Sequence, residues 1–327
     1  MTYDFIAIGD LVTDAFIKLK DAEVHCKLDK VACELCVRFG DKVPYEDVTV
    51  LSAVGNAPNA AVAAARLGLS TALISDLGDD RIASESLAYL KEQKVSHEFI
   101  TKHCDFKSNY HYVLWYTDDR TILIKHEAYP YKIPEFNTKW LYISSLGQHG
   151  ETRRKDLAQY LMDHQDIKVA FQPATYELQF GTQDLRKLFE RTSIMFCNTD
   201  EARRLLETDE KNGATLAEMV SHHGPKQVII TDGPNGAYLY DGHMTWFMPP
   251  YPDPKPPYER TGAGDAFSST ITACVSMGMD IHDAMLWAPI NSMSVVQKVG
   301  AQAGLLTQEE IKLWLDKAPT DYKLKRV

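Results

Sequence analysis

Glu259-Arg260-Thr261-Gly262-Ala263-Gly264-Asp265-Ala266-Phe267 is the stretch on which the reading of this chain turns. Thr261 to Gly264 form a tight turn of small residues that runs straight into a helix expected from Ala263 to about residue 278. A helix start carries backbone N–H groups without intrahelical partners and the positive end of the dipole, so it seats anionic oxygens. Small residues let such an anion approach the backbone closely. Asp265 falls in that first turn. A carboxylate beside an anion is unfavourable unless it does something there, and taking the proton of an attacking hydroxyl is the chemistry that fits. Alone, a Gly-x-Gly-Asp turn is more often an ordinary helix start.

Two further polar turns stand upstream of it. Thr231-Asp232-Gly233-Pro234-Asn235-Gly236 follows the apolar run Val228-Ile229-Ile230, a Gly-rich turn able to hold a nucleotide, though a lone turn of this kind usually just joins two strands. Asn198-Thr199-Asp200-Glu201 follows Ile194-Met195-Phe196-Cys197 and opens a helix. There Asn198 as N-cap and Glu201 as its capping-box partner would suffice as an explanation. Neither G-x-x-x-x-G-K-[ST] nor G-x-G-x-x-G occurs, which removes the support for P-loop and dinucleotide-binding readings.

Around these turns the pattern is one of β-then-α units. Strands are expected at 5–9, 71–75, 140–145, 167–171, 194–197, 227–231 and 236–240. Helices are expected at 58–67, 82–93, 152–163, 181–190, 199–206, 214–222, 263–278, 280–298 and 308–316. Strands separated by helix-length segments predict an α/β fold, a central mostly parallel sheet with helices on both faces. Two segments break the rhythm. Residues 18–49 are charged and irregular, and 109–126 read as a β-hairpin turning at Asp118-Asp119. They are grouped as a discontinuous, small β-rich lid, with 1–17, 50–108 and 127–327 forming the α/β domain.

Composition sets outer limits. The 327 residues are 45% apolar and 24% charged, enough for a sizeable core. The net charge of −10 argues against nucleic acid as the partner. The first ten residues carry no basic region of a secretory signal, and no apolar run is long enough to cross a bilayer. The six cysteines therefore read as reduced thiols of a cytoplasmic protein.

Taken in order, these residues resemble the ribokinase-like (PfkB) family of carbohydrate and nucleoside kinases. Thr261-Gly262-Ala263-Gly264-Asp265-Ala266-Phe267 is similar to the C-terminal signature of that family. Gly55-Asn56-Ala57-Pro58-Asn59-Ala60-Ala61, running to Arg66-Leu67-Gly68, resembles its N-terminal signature, and Leu77-Gly78-Asp79-Asp80 its Gly-Asp-Asp segment. Asn198-x-x-Glu201 and Thr231-x-Gly233-x-x-Gly236 resemble its phosphate and nucleotide motifs.

The resemblance implies an ATP-dependent phosphotransferase of ribokinase-like fold. In it Asp265 would be the base, and Gly262, Ala263 and Gly264 the anion hole. Asp14, Gly55, Asn56 and Asn59 would bind the substrate. Asn198 and Glu201 would organise magnesium through water, while Thr231, Gly233, Gly236 and Asn291 would line the nucleotide. The implied substrate is a free sugar, of fructokinase or ribokinase type. A nucleoside, as in adenosine kinases, is the runner-up, and a catalytically silent sugar or nucleotide sensor is the reading from another class.

This chain departs from the family at several points. Glu259-Arg260 replace a common Asp-Thr that supports a monovalent cation, leaving potassium activation open. Val54 replaces the first Gly of a Gly-Gly pair, and Ala170-x-Gln172-Pro173 replaces Asp-x-Asn-Pro. His25-Cys26 and Cys33-x-x-Cys36 stand in the 18–49 insertion. Three thiolates (Cys26, Cys33 and Cys36) would make an incomplete structural metal site, and packing thiols are the simpler reading. Tyr110, His111, Tyr112, Trp115 and Tyr116 line the hairpin; an alternating aromatic strand is usually core or interface, and in this position it would also stack on a sugar or base, or pair with the lid of a second copy.

Overall fold

The computed structural model describes residues 2–26, 33–117, 119–147 and 150–327. In it Phe5-Ile6-Ala7-Ile8 is fully buried although successive side chains point to opposite faces. Phe5 and Ala7 join one apolar cluster, and Ile6 and Ile8 another. A strand without a polar face must have a layer on each side, and the rest of the fold supplies both.

The strand holding that run, β1 (Tyr3–Ile8), is followed by β2 (Val12–Leu19), β3 (Glu23–Cys26), β4 (Cys33–Cys36), β5 (Tyr45–Val54) and the first helix, α1 (Asn56–Arg66). Next come β6 (Thr71–Gly78), α2 (Arg81–Glu92), β7 (Val95–Ser96), β8 (Ile100–His103), β9 (Asn109–Tyr116) and β10 (Asp119–Leu123). Alternation then runs β11 (Thr138–Ile143), α3 (Glu151–Asp163), β12 (Lys168–Phe171), α4 (Thr175–Arg191), β13 (Thr192–Asn198), α5 (Thr199–Leu206), α6 (Gly213–Ser221) and β14 (Gln227–Thr231). Last come β15 (Ala237–Tyr240), β16 (Thr245–Met248), α7 (Ala263–Ser276), α8 (Ile281–Val295), α9 (Gln308–Leu315) and β17 (Lys325–Arg326).

The main sheet has the order β17-β16-β15-β14-β13-β12-β11-β1-β6-β7, with β8 also on β6. It is parallel from β14 to β7 and antiparallel from β14 to β17. Side chains from α1, α2, α7, α8 and α9 cover one face, and those from α3, α4, α5 and α6 cover the other. This is the ribokinase-like α/β architecture. Each fully buried Leu, Ile or Phe contributes about 1.5–3 kcal/mol, so the two layers hold the sheet rigid beneath its loops.

A second sheet, ordered β10-β9-β2-β5, stands apart from the first. Its strand β2 begins at Val12 and its strand β5 ends at Val54, so the sheet takes residues from both sides of the expected divisions at 17/18 and 49/50. The 109–126 hairpin forms as β9 and β10, antiparallel; Asp118, in its turn, lies outside the described residues. Part of the 18–49 segment is regular: β3 and β4 form a two-stranded ribbon in which Cys26 faces Cys33. These two sulfurs are joined as a disulfide, which corrects the reading of six reduced thiols. It also removes the thiolate metal site, because two of its three sulfurs are bonded to each other. The remaining thiols are Cys36, Cys104, Cys197 and Cys274.

Candidate active site

α1 is rich in alanine (Ala57, Ala60, Ala61, Ala63 and Ala64 are all buried), so α7 can lie close against it in the same core. The first turns of the two helices meet. Asn56 Nδ2 donates to Asp265 Oδ1 at 2.8 Å, and Asn59 Nδ2 donates to Asp265 Oδ2 at 2.7 Å. A third amide comes from the end of β12, where Gln172 Nε2 donates to Asp265 Oδ1 at 3.1 Å. Gln172 is held in that sense because Tyr142 and Ser268 both bond its Oε1. Burial, and then the charge of Asp265, push the Tyr142 phenol well above its ordinary value, so it stays a neutral hydroxyl.

Asn59 is fixed in turn by Gln302, whose Nε2 donates to Asn59 Oδ1 at 2.8 Å and is shared with the Ala53 carbonyl at 2.8 Å. An ionised carboxylate offers about four acceptor positions, two on each oxygen. Three are taken in Asp265. The fourth, on Oδ2, has no donor among the described residues and can accept from a hydroxyl.

The turn before α7 has the conformation its residues demand. Gly262 is the N-cap at φ 81°, and a Cβ there would stand 2.2 Å from that of Ala301. Only glycine fits both the left-handed backbone and the close loop. A Cβ on Gly264 would meet no atom within 4 Å, so this residue faces open space.

That open space belongs to two cavities that meet at Gly264. The first, about 330 Å³, is walled by the small sheet through Val12, Asp14, Phe16 and Leu51, and floored by Gly55, Asn56, Asn59 and Asp265. Asp10, His111 and His126 also line it. His126 Nδ1 lies 3.0 Å from Asp10 Oδ2, and His111 Nδ1 lies 3.5 Å from Asp14 Oδ1. The two imidazoles are 5.2 Å apart. Among the described residues, neither Lys nor Arg lines this cavity. Thr261 Oγ1 is buried, lines it, and has no hydrogen-bond partner among the described residues.

The second cavity, about 360 Å³, is lined by Thr231, Gly233, Gly236, Tyr251, Arg260, Ala263, Gly264 and Phe267. Asn198 and Thr231 are register partners at the C-terminal ends of β13 and β14. The capping box expected on α5 is formed: Glu201 N donates to Asn198 Oδ1, and Asn198 N to Glu201 Oε2, each at 2.8 Å. Burial raises the Glu201 carboxyl above its ordinary value and the charge of Asp265 adds to it, against the lowering effect of the Asn198 N–H.

Most of the residues singled out in the sequence thus gather around one junction, beyond the C-terminal ends of the parallel strands. Asn291 does not. It is fully buried, donating to Thr270 Oγ1 at 2.8 Å and accepting from Leu306 N at 2.9 Å, so it ties α8 to α7 and to the segment before α9. Its neighbours Pro289, Ser292 and Met293 line the second cavity instead. Of the hairpin aromatics, His111 faces the first cavity, while Tyr110, Tyr112, Trp115 and Tyr116 are not part of its wall. Asp10, His126, Tyr142 and Gln302 were missed in the sequence, where none stands in a recognisable motif. Gln172 had a signal, since it is one of the departures from the family pattern.

Comparison with known proteins identifies the family. The model of the pfkB family carbohydrate kinases matches residues 23–308. The chain is 26% identical over 300 residues to a ribokinase of Bacillus subtilis, covering 88% of this chain and 97% of that protein. Among solved structures, the nucleoside kinase of Methanocaldococcus jannaschii superposes with a TM-score of 0.79 at 19% identity, covering 96% of this chain and 98% of the other. A ribokinase of Arabidopsis thaliana complexed with ribose and ATP gives 0.79 at 17%, covering 96% and 99%. At such identities the structures speak for the fold, while the family match spans most of the sequence. The chain accordingly belongs to the pfkB family of carbohydrate kinases, phosphotransferases that act on a sugar hydroxyl.

Proposed function

We propose that the chain phosphorylates a hydroxyl of an uncharged sugar with ATP, the sugar lying in the first cavity and the nucleotide in the second. The observation that carries this reading is the meeting of the two cavities at Gly264, beside the one acceptor position left on Asp265. Asp265 takes the proton of the attacking hydroxyl. The N–H groups of Gly262, Ala263 and Gly264 hold the charge that develops on the transferred group, and the unpartnered Thr261 hydroxyl is suited to join them. Asn56, Asn59 and Gln172 orient the base, and Asp10, Asp14, His111 and His126 bond the other sugar hydroxyls.

The residues present fit a magnesium nucleotide. Thr231, Gly233 and Gly236 flank its cavity, Arg260 adds a cation, and the open backbone at Gly264 admits a phosphate. Among the described residues no three His, Cys, Asp or Glu side chains gather to hold a metal, so the ion would meet Asn198 and Glu201 through water. When bound, the magnesium nucleotide supplies the phosphoryl group and screens its charge.

Charge supports the uncharged sugar. A cavity holding Asp10, Asp14 and Asp265, with no Lys or Arg among the described residues that line it, disfavours sugar phosphates and sugar acids. Of the hairpin aromatics on which a nucleoside would stack, Tyr110, Tyr112, Trp115 and Tyr116 stand outside the cavity wall and His111 lines it, which favours the sugar, and a base held by three amides favours catalysis over a silent sensor.

An ADP-release screen over sugars, nucleosides, sugar phosphates and sugar acids, with and without potassium, tests the reading. Turnover should be highest with a neutral sugar. A sugar phosphate as best substrate would overturn the substrate assignment, and no ADP release with any acceptor would overturn the transfer.

The outer face of the small sheet supports a second copy as partner. Val50, Ala15, Tyr112 and Leu123 form one row across its four strands, and Val50, Tyr112 and Leu123 are each about half exposed.

A further inference from the structure

The small sheet touches the catalytic turn through one buried charge. Glu259 stands two residues before Thr261 and its side chain is only 4% exposed. Its Oε1 accepts from Thr261 N at 2.7 Å and its Oε2 from Gly300 N at 3.4 Å. Glu259 therefore ties the strand side of the glycine turn to the loop that packs on Gly262 through Ala301 and reaches Asn59 through Gln302. The backbone repeats the tie, since Tyr258 N and Glu259 N both donate to the Val296 carbonyl. Both loops meet at this carboxylate.

A buried carboxylate needs a counter-charge as well as N–H donors. Here the guanidinium that approaches it comes from the small sheet: Arg120 Nε, on β10, lies 3.7 Å from Glu259 Oε1. Trp115, the register partner of Arg120 on β9, packs edge-on against Tyr258 at 5.5 Å. On β5, Leu51 leaves no room for a Cβ on Gly300, whose N–H binds Glu259. Three strands of the small sheet thus bear on the segment around Glu259.

We propose that Arg120 is a positioning residue which couples the small sheet, acting as a lid, to the anion hole. With the sheet over the first cavity, Arg120 neutralises Glu259 and the carboxylate holds Thr261 N and Gly300 N inward. With the sheet displaced, Glu259 loses its counter-ion and turns toward water, and the Thr261–Gly264 turn loses its shape. Phosphoryl transfer is then confined to the closed state, in which water is excluded from the sugar. The coupling rests on the kinase reading above, whereas the positioning of the turn does not depend on it.

The test has two readouts. Hydrogen exchange of the full-length protein, followed in peptides spanning residues 259–266, reports the turn directly. Exchange there should be faster in Arg120→Ala than in the parent, with Arg120→Lys between them and Arg120→Gln as a second neutral variant. In steady-state kinetics Arg120→Ala should lose kcat on the order of 10²-fold, the scale of a misplaced reacting group, with the KM for ATP little changed. Millimolar guanidinium should restore turnover to Arg120→Ala and leave Asp265→Asn at its reduced rate. Unchanged exchange in both neutral variants would overturn the proposal. So would a kcat loss that neither guanidinium nor Arg120→Lys repairs. Absence of transfer by the parent protein on every acceptor would overturn the kinase reading alone, with exchange still deciding the role of Arg120.

Discussion

Asp265 is held by three amides, and the geometry gives each a separate consequence. Replacing Asp265 with Asn keeps the volume but puts an N–H₂ group in place of one carboxylate oxygen, so at least one of the three amide donors loses its acceptor. Turnover should fall by about 10²–10⁴-fold, the usual contribution of a positioned base, while ATP affinity by calorimetry stays near that of the parent. An Asp265→Asn variant turning over at the parental rate would remove the base role. At this scale the sequence was uneven. Asp265, Asn56 and Asn59 stand in motifs whose small residues and helix starts can be recognised. Asp10 and His126 belong to segments that meet only when β1 and the chain after β10 are brought together, so nothing local announces the pair. Asn291 failed for the opposite reason: its position on a late helix was right, but its side chain is consumed by Thr270 and Leu306.

Among the elements, α4 shows what a single residue can hide. A helix was expected at 181–190, whereas α4 spans Thr175–Arg191 with a break at Gly181, at φ 69°. Glycine in that conformation reads as a helix boundary, and here it joins two helical pieces. The missed first turn carries Glu177, which accepts from Leu146 N at 3.0 Å and Ala174 N at 3.1 Å and so ties α4 to the loop beneath the first cavity. Burial pushes the Glu177 carboxyl up to about 7 from its ordinary 4.5. The folded state then binds this proton more tightly than the unfolded chain does. The resulting stability, at most about 3 kcal/mol, is complete below about pH 4.5 and is lost as pH rises through about 7. Between those values the melting temperature of the parent should fall more steeply than that of Glu177→Gln, which cannot ionise. Parallel curves would show that Glu177 does not titrate in this range.

The β3–β4 ribbon offers a simpler check at the same scale. Cysteine spacing alone left thiol and metal readings open, because which strands pair is decided by tertiary structure. With Cys26 joined to Cys33, alkylation of the denatured, unreduced protein should label four cysteines, and six after reduction. Six labels without reductant would remove the disulfide.

At the scale of the whole molecule, the main sheet was legible because burial on both faces leaves continuous apolar runs such as Phe5–Ile8, and helices of regular length separate them. The small sheet was only half legible. Its inner residues alternate with outer ones that are also apolar, so β2 and β5 lack the polar face that marks a solvated strand, and their limits blurred into the neighbouring segments. That apolar outer face carries the last prediction. On a monomer, the row Val50–Ala15–Tyr112–Leu123 would leave half-exposed side chains on three of its four strands in water, next to Val48. A second copy related by a two-fold axis would cover the same row with itself, which is the commonest closed arrangement of like chains. Light scattering should therefore give twice the chain mass. Tyr112→Glu, placing a charge at the centre of the row and outside the cavity wall, should give the single mass with its melting transition still cooperative. A parent protein of single-chain mass across the micromolar range would rule out the pairing. A dimer untouched by Tyr112→Glu would move it to another face.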